Sequence, residues 1–290
     1  MKKALYYPKW FVENRKEDKI KPLQSIVFIT NRCNLECKNC QVSRQEGTPG
    51  FYELGYQEIL DIFSKVYKLG SRVLDIDGGE PLLWHDGDYT CNDLVRSAKE
   101  MGFVRVTIKT NGHRSLESNA DALWIGIDGA AKHHDSIRGK GNFAQLQKNI
   151  ATSNFHNLNC SMVINRLNYK DYHEIIRWVQ ETPKLQTIAF NFLSPQNGLK
   201  HLKLDKSTRD SIIDNLIDLK KKKYPIFNSI AGLKRMKDDN FENYCWVNTV
   251  EQEDGTYISE CAGKKDGLCK DCGHSMKGEA VFSIDSAKLI

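Results

Sequence analysis

The sequence predicts an α/β fold built on a parallel sheet, and three observations predict it. Between about residues 24 and 222, short apolar segments rich in β-branched residues alternate six times with amphipathic helical segments. Parallel strands need long crossover connections, and each helical segment is long enough to be one. Glycines stand where helices should stop, at Gly70 and Gly102. Such alternation is compatible with a doubly wound sheet or with one curled into a partial barrel, and in both cases ligands bind at the carboxyl ends of the strands.

The elements follow in order. Residues 25–30, Ser-Ile-Val-Phe-Ile-Thr, read as a buried first strand. Ile59, Ile62, Phe63, Val66 and Tyr67 recur at helical spacing before Gly70, and residues 73–76 form the second strand. Leu94, Val95, Ala98 and Met101 mark the next helix. Further strands are expected near 103–108, 123–128, 160–164 and 187–192, with helices near 143–152 and 170–180. A last helix over 207–222 presents Ile212, Ile213, Leu216 and Ile217 behind Ser207 or Thr208 as N-cap. Residues 1–22 are polar and aromatic and read as an arm packed across the main domain, residues 23–223. Residues 224–290 shift towards Cys, Gly and Lys and read as a small module whose core needs a metal.

Composition narrows the class. A chain of 290 residues with 40% hydrophobic and 27% charged residues can bury a full core, which excludes disordered and fibrous classes. No run of about 18 apolar residues suggests a membrane span. The first residues show no apolar leader, so a cytoplasmic setting is expected, with the nine cysteines as thiols, metal ligands or catalytic groups instead of disulfides. The net charge of +5 is scattered apart from Lys220 to Lys223, a helix end where cations complement the dipole; nucleic-acid binding is not expected.

The cysteines carry the chemistry. The first strand runs into Cys33, Cys37 and Cys40, a C-x3-C-x2-C loop at its carboxyl end. Three thiolates so close can hold three corners of a cubane iron–sulfur cluster and leave one iron open, whereas zinc wants a fourth ligand nearby. Gly78-Gly79-Glu80-Pro81 ends the second strand, where paired glycines allow close backbone approach by the amine of a small zwitterion. Thr110-Asn111-Gly112 ends the third, and Asp128-Gly129 ends the fourth, followed by His134-Asp135 and Arg138-Gly139.

One motif at each strand end, in this order, resembles the radical S-adenosylmethionine (radical SAM) superfamily over about residues 24–200. The resemblance implies a partial (β/α)6 TIM-like barrel. It implies a 4Fe–4S cluster on Cys33, Cys37 and Cys40 whose open iron chelates the methionyl part of SAM. It implies reductive cleavage of SAM to methionine and a 5′-deoxyadenosyl radical that takes hydrogen from a substrate. It further implies that Gly78, Gly79 and Glu80 meet the methionyl amine, that Asn39, Asp128, Arg138 and Asn165 bind cofactor, and that residues 192–194 face adenosine. Two departures stand out: the residue before the third cysteine is often aromatic in this family and here is Asn39, and Gly126 stands where many relatives carry serine. A low-potential donor such as flavodoxin or ferredoxin is implied as partner.

Cys245, Cys261, Cys269 and Cys272 form a four-ligand set that by spacing suits structural zinc or a 4Fe–4S cluster alike. The set resembles the Twitch module, a shortened SPASM domain, which implies a second, auxiliary 4Fe–4S cluster. Residues 253–257 between the first two read as a hairpin turn. The end of the chain also loosely resembles adenosylhopane synthase-type proteins, which implies the alternative of adenosyl transfer to an isoprenoid or lipid. Of the remaining cysteines, Cys160 fits a strand core, and Cys91, at a helix start where a thiol can be acidified, is a weak catalytic candidate. His133 and His134 follow the fourth strand and read as surface residues, with facing the site as the alternative. Trp84 and His85 are candidates to line the substrate mouth, and Tyr6, Tyr7 and Trp10 to cover it. The expected substrate is a peptide or a small molecule. The competing classes are a zinc-dependent binding module and an electron carrier without chemistry of its own.

Overall fold

Strand order decides between the two parallel architectures. The computed structural model describes residues 3–14, 21–43, 46–195, 198–237, 248–251, 257–258 and 267–273. Its elements are α1 (Lys3–Asn14), β1 (Gln24–Phe28), α2 (Tyr56–Lys68), β2 (Val73–Asp77), the short hairpin β3 (His85–Asp86) and β4 (Tyr89–Thr90), α3 (Cys91–Glu100), β5 (Arg105–Thr110) and β6 (Ala122–Gly126). Then come α4 (Ala131–Arg138), α5 (Asn142–Thr152), β7 (Leu158–Ile164), α6 (Tyr172–Glu181), β8 (Leu185–Phe192), α7 (Lys206–Lys221), α8 (Ile230–Lys237), β9 (Asn248–Glu251) and β10 (Tyr257–Ile258). Six strands of the eight-stranded sheet run β1-β2-β5-β6-β7-β8, every pair parallel, each laid beside the one before it in the sheet. A doubly wound sheet reverses direction partway; these six strands do not, which is the winding of a barrel wall.

Alternation along the strands separates two faces. Val27, Leu74, Ile76, Ile108, Ile125, Cys160, Met162 and Phe190 turn outward and share one large core with Ile59, Phe63, Leu94, Leu146, Ile176 and Ile213 of the helices. Cys160 is a buried member of that core, as its strand pattern predicts. The inner face carries Asp75 in register with Thr107, Lys109 with Trp124, Asp77 with Phe28 and Ser161 with Gly126.

Several aromatic assignments change. Tyr6, Tyr7 and Trp10 of α1 are buried against Leu23, Val73, Ala189 and Phe227, with Val104 and Trp124 alongside. Leu23 precedes β1, Val73 opens β2 and Val104 precedes β5, so α1 plugs the barrel from its amino-terminal end and does not cover its mouth. Trp10 Nε1 donates to the Lys21 carbonyl at 3.1 Å, and burial pushes the Tyr7 hydroxyl up to about 12. Trp84 does not line a mouth either: it is buried on the helix side, its indole donating to the Leu54 carbonyl at 2.8 Å, while His85 is exposed on the β3–β4 hairpin. Cys91 opens α3 but is buried in the apolar core, and burial drives its thiol up, the reverse of helix-terminus acidification. The last long helix is capped by Asp205, whose Oδ1 accepts from the Thr208 amide at 2.8 Å, and not by Ser207 or Thr208.

The chain beyond α7 returns to the barrel at both edges. Asn228 brackets Phe190 of β8, its side chain accepting from the Phe190 amide at 2.7 Å and donating to its carbonyl at 3.0 Å. At the opposite edge β9 pairs parallel with β1, and β10 pairs antiparallel with β9, so a hairpin joins residues 251 and 257. The turn itself lies outside the described residues. Among the described residues no helix is long and apolar enough to cross a membrane.

Candidate functional site

The motif at each strand end belongs to one hydrogen-bonded assembly at the carboxyl edge of the wall. The root of the cysteine loop is held first. Thr30 makes an antiparallel bridge with Glu53, Asn31 Nδ2 donates to the Gly50 carbonyl at 2.7 Å, and Arg32 pairs with Glu53 at 2.9 Å. The next strand end locks against the same root: the Gly79 amide donates to the Thr30 carbonyl and the Glu80 amide to the Arg32 carbonyl, both at 2.8 Å. A Cβ on Gly78 would stand 2.3 Å from the Thr30 carbonyl oxygen, and one on Gly79 2.2 Å from that of Arg32. The paired glycines therefore let the chain's own backbones approach, a demand that needs no ligand.

Glu80 is fully buried and works as a strut. Its carboxylate accepts from the Thr110 hydroxyl at 2.9 and 3.0 Å, the Asn111 amide at 2.6 Å and the Leu82 amide at 3.0 Å, tying the end of β2 to that of β5. Burial outweighs these bonds and raises its pKa to about 7. Asn111, to which sequence reasoning gave no role beyond its turn, reaches back to the cysteine loop. Its Nδ2 donates to Cys33 Sγ at 3.7 Å and to Asn34 Oδ1 at 2.9 Å.

The far side of the loop is clamped by Asp128 at the end of β6. Asp128 Oδ1 accepts from Asn39 Nδ2 at 2.9 Å and Asn168 Nδ2 at 3.3 Å, and Oδ2 accepts from Arg138 Nε at 2.6 Å. The Lys38 amide donates to the Ile137 carbonyl at 3.1 Å. Arg138 lies over the missing side chain of Gly126, where a Cβ would stand 2.8 Å from a guanidinium nitrogen. The serine that many relatives carry there would meet that guanidinium. His134 is buried beneath, and desolvation with the Arg138 charge lowers its pKa to about 4, so the ring is neutral. His133 is half-exposed, with Nδ1 3.0 Å from Asp171. Asp171, which the sequence did not single out, also accepts from the Ala130 amide and so holds the turn after Asp128. Asn165 is fully buried and serves its own turn, accepting from the Leu167 amide at 2.8 Å.

Three sulfurs thus project from one firmly anchored loop. Cys40 Sγ accepts from the Val42 amide at 3.4 Å and from the amide and hydroxyl of Ser43 at 3.2 and 3.1 Å. Burial raises the Cys33 thiol and pushes Cys37 up to about 12, while Arg138 opposes the shift at Cys37. Such thiols give up their protons when cationic iron takes their place. The donor set therefore fits a cubane: three sulfurs, N–H and O–H donors pointed at two of them, and a cation beside a third. Among the described residues no three His, Cys, Asp or Glu groups converge on a single-ion site. A cubane takes its thiolates at separate corners.

The C-terminal cysteines are described in part. Cys245, Cys261 and the side chain of Cys269 lie outside the described residues, although Cys269 falls in a short 3-10 helix, Leu268–Asp271. Cys272 is buried in the main core. The next residue docks on the end of β8: the Phe192 amide donates to the Gly273 carbonyl at 2.9 Å, and the Gly273 amide donates to Ser194 Oγ at 3.1 Å. Gln41 donates to the Ser194 carbonyl at 2.7 Å, so the first cysteine loop and the C-terminal segment meet at one residue. Asp271 pairs with Lys203.

Known proteins share parts of this sequence and this fold. The chain is 29% identical over 214 residues to a GTP 3′,8-cyclase of Limosilactobacillus fermentum, covering 65% of this chain and 59% of that protein. It is 29% identical over 154 residues to the mycofactocin maturase MftC of Mycolicibacterium smegmatis, covering 50% and 38%. It thus spans less than two thirds of either relative. Among solved structures, Streptococcus suis SuiB bound to S-adenosylmethionine superimposes with a TM-score of 0.64 at 14% identity, over 88% of this chain and 64% of SuiB. SuiB bound to its precursor peptide SuiA gives the same TM-score at 12% identity, over 97% and 69%. The family model of the radical SAM superfamily matches residues 27–179, which hold the three loop cysteines and every strand-end motif through Arg138, and the chain belongs to that superfamily.

Proposed function

We propose that this chain is a radical SAM enzyme that binds a 4Fe–4S cluster at Cys33, Cys37 and Cys40 and acts on a peptide. The observation that carries the reading is the clamping of that cysteine loop from both sides, by Asn111 at Cys33 and by the Asn39–Asp128–Arg138 chain around Cys37. With cluster and SAM bound, the chemistry supplied is reductive cleavage of SAM to methionine and a hydrogen-abstracting 5′-deoxyadenosyl radical. The chain's own residues prepare for it. Glu80, Thr110 and Asn111 fix two strand ends against the loop. Asp128 holds the Arg138 guanidinium beside the open edge, where a carboxylate of a zwitterion would find a cation. Gly78 and Gly79 can meet the cofactor only through backbone groups, because their faces are packed on residues 30–32. The helix plug at the bottom and the wall behind keep water from the strand ends on those sides.

A peptide is favoured over other substrates because two proteins similar to this chain are a maturase and an enzyme crystallised with a precursor peptide. An auxiliary 4Fe–4S cluster on Cys245, Cys261, Cys269 and Cys272 belongs to the same proposal. The docking of residues 271–273 on β8 beside the first loop supports it. The test is anaerobic reconstitution with iron and sulfide, followed by dithionite and SAM. The expected result is equal amounts of 5′-deoxyadenosine and methionine from the natural chain and none above background from Cys37→Ala. Equal yields from both would overturn the site.

A further inference from the structure

We infer that the inner wall recognises its substrate by a carboxylate, held by Lys109 between two aromatic side chains. This rests on the reading of the barrel mouth as the reaction site. Lys109 is on the inner face of β5, one residue before Thr110, the partner of Glu80. Its Nζ donates to Asp77 Oδ2 at 2.7 Å, and Asp77 Oδ1 accepts from the Gly78 amide at 2.9 Å. The Lys109 side chain is 40% exposed and that of Asp77 is 15% exposed, so the pair presents its cationic end to the lumen.

The balance of donors and acceptors decides what that lumen can receive. An ammonium has three protons, and Asp77 takes one of them. The inward-facing acids are already served: Asp77 by Gly78 and Lys109, and Asp75 below it by Gln24 and Thr107. Burial further disfavours charge on Asp75. On the inner face of the six parallel strands the other cation is Arg105, at the amino end of β5 and close enough to Tyr7 of α1 to act on its hydroxyl. Among the described residues the wall at the height of Lys109 therefore offers free donors and no unengaged acid, which suits an anionic group and not an amine. Phe28 lies in register with Asp77, and Trp124 with Lys109. Both are partly exposed, and Trp124 is braced edge-on by Phe227 at 4.9 Å. A planar carboxylate on a stem with apolar flanks matches that row better than phosphate, whose larger hydration shell an aromatic setting leaves unsatisfied.

The carboxylate can belong to a chain terminus or to an acidic side chain, and the probes separate the two. Binding to anaerobically reconstituted protein with SAM present is measured by calorimetry for N-acetyl-phenylalanine against its amide, and for acetyl-Phe-Asp-amide against acetyl-Phe-Asn-amide. At least one acid is expected to bind about tenfold tighter than its neutral twin at low salt, the size of one charge-assisted contact. The pair with the larger ratio identifies the source. The ratio should fall to about one in Lys109→Met and recover in Lys109→Arg, a pattern that a merely structural lysine does not produce. Acid and neutral probes binding alike, no acid binding at millimolar concentration, or a ratio that survives Lys109→Met would each overturn the inference. Formation of 5′-deoxyadenosine by the natural chain is followed in parallel. Its absence would overturn the radical SAM reading without touching carboxylate recognition, and its presence with equal probe binding would do the opposite.

Discussion

Replacing Gly79 by alanine isolates the contact on which the cysteine loop rests. Gly79 adopts a backbone conformation open to any residue, so the cost comes from space alone. Its new Cβ would stand 2.2 Å from the Arg32 carbonyl oxygen, 2.6 Å from the Arg32 carbonyl carbon and 2.6 Å from the Asn31 carbonyl oxygen. All three are backbone atoms. Ordinary contact begins near 3.4 Å, so the two segments must part by about 1 Å, enough to break the hydrogen bond from the Glu80 amide to the Arg32 carbonyl and to shift Cys33 next to it. Overpacking of this kind costs about 1–3 kcal/mol, and the lost backbone bond adds about 1 kcal/mol. Gly87→Ala is the control: its φ is +55° and nothing lies within 4 Å, so it carries only the left-handed backbone penalty of about 1 kcal/mol. Anaerobic urea denaturation and iron content after reconstitution are the assays. Gly79→Ala should lose more than twice the stability lost by Gly87→Ala and retain less iron. If the two variants lose the same stability and both keep full iron, the account of the paired glycines is wrong.

Asp128→Asn removes the counter-charge of Arg138, whose side chain is 14% exposed, and should destabilise by about 3 kcal/mol. Iron release to a chelator should also quicken, because an amide keeps only one acceptor oxygen and cannot serve both Asn39 and Arg138; a loss below about 1 kcal/mol in urea melts would contradict this. Glu80→Gln tests the buried strut. The Glu80 pKa is raised from 4.5 to about 7, so the protonated carboxyl is favoured on folding; its contribution is full below pH 4.5 and is lost as pH rises through about 7. The stability of the natural chain relative to Glu80→Gln should therefore fall by about 3 kcal/mol between pH 4.5 and 8, and a difference independent of pH would refute it.

Much of the fold was legible because it is local. β-branched runs, helical periodicity and the stop at Gly70 follow from short stretches of chain, and the core positions of Val27, Ile76, Phe63 and Cys160 come with them. Winding was not legible: periodicity cannot distinguish a barrel wall from a doubly wound sheet, and only the order of strand pairing does. Distance along the chain hid the rest. Tyr6, Tyr7 and Trp10 are aromatic in either location, and nothing in their spacing says that they fill the bottom of a barrel. β9 is a four-residue strand whose partner, β1, lies more than two hundred positions earlier.

At the site, the strand-end motifs were legible as residues and not as contacts. The family resemblance set Glu80 with Gly78 and Gly79 against the methionyl amine; in the structure the two glycines admit the backbone of residues 30–32, and the Glu80 carboxylate is spent on Thr110 and Asn111. Asn39 replaces an aromatic residue in the family pattern, and its hydrogen bond to Asp128 gives the substitution a physical role. Asn111, Asn168 and Asp171 are turn residues by sequence; their roles arise from partners 77, 40 and 41 positions away.

The central claim is that Cys33, Cys37 and Cys40 hold a cluster with one iron left open for SAM. The most direct test is the electron paramagnetic resonance spectrum of reconstituted, dithionite-reduced protein recorded with and without SAM. A reduced-cluster signal that changes on adding SAM is expected from the natural chain and from Cys272→Ala, and should be missing in Cys37→Ala. A spectrum indifferent to SAM, or one that Cys37→Ala leaves unchanged, would contradict the claim.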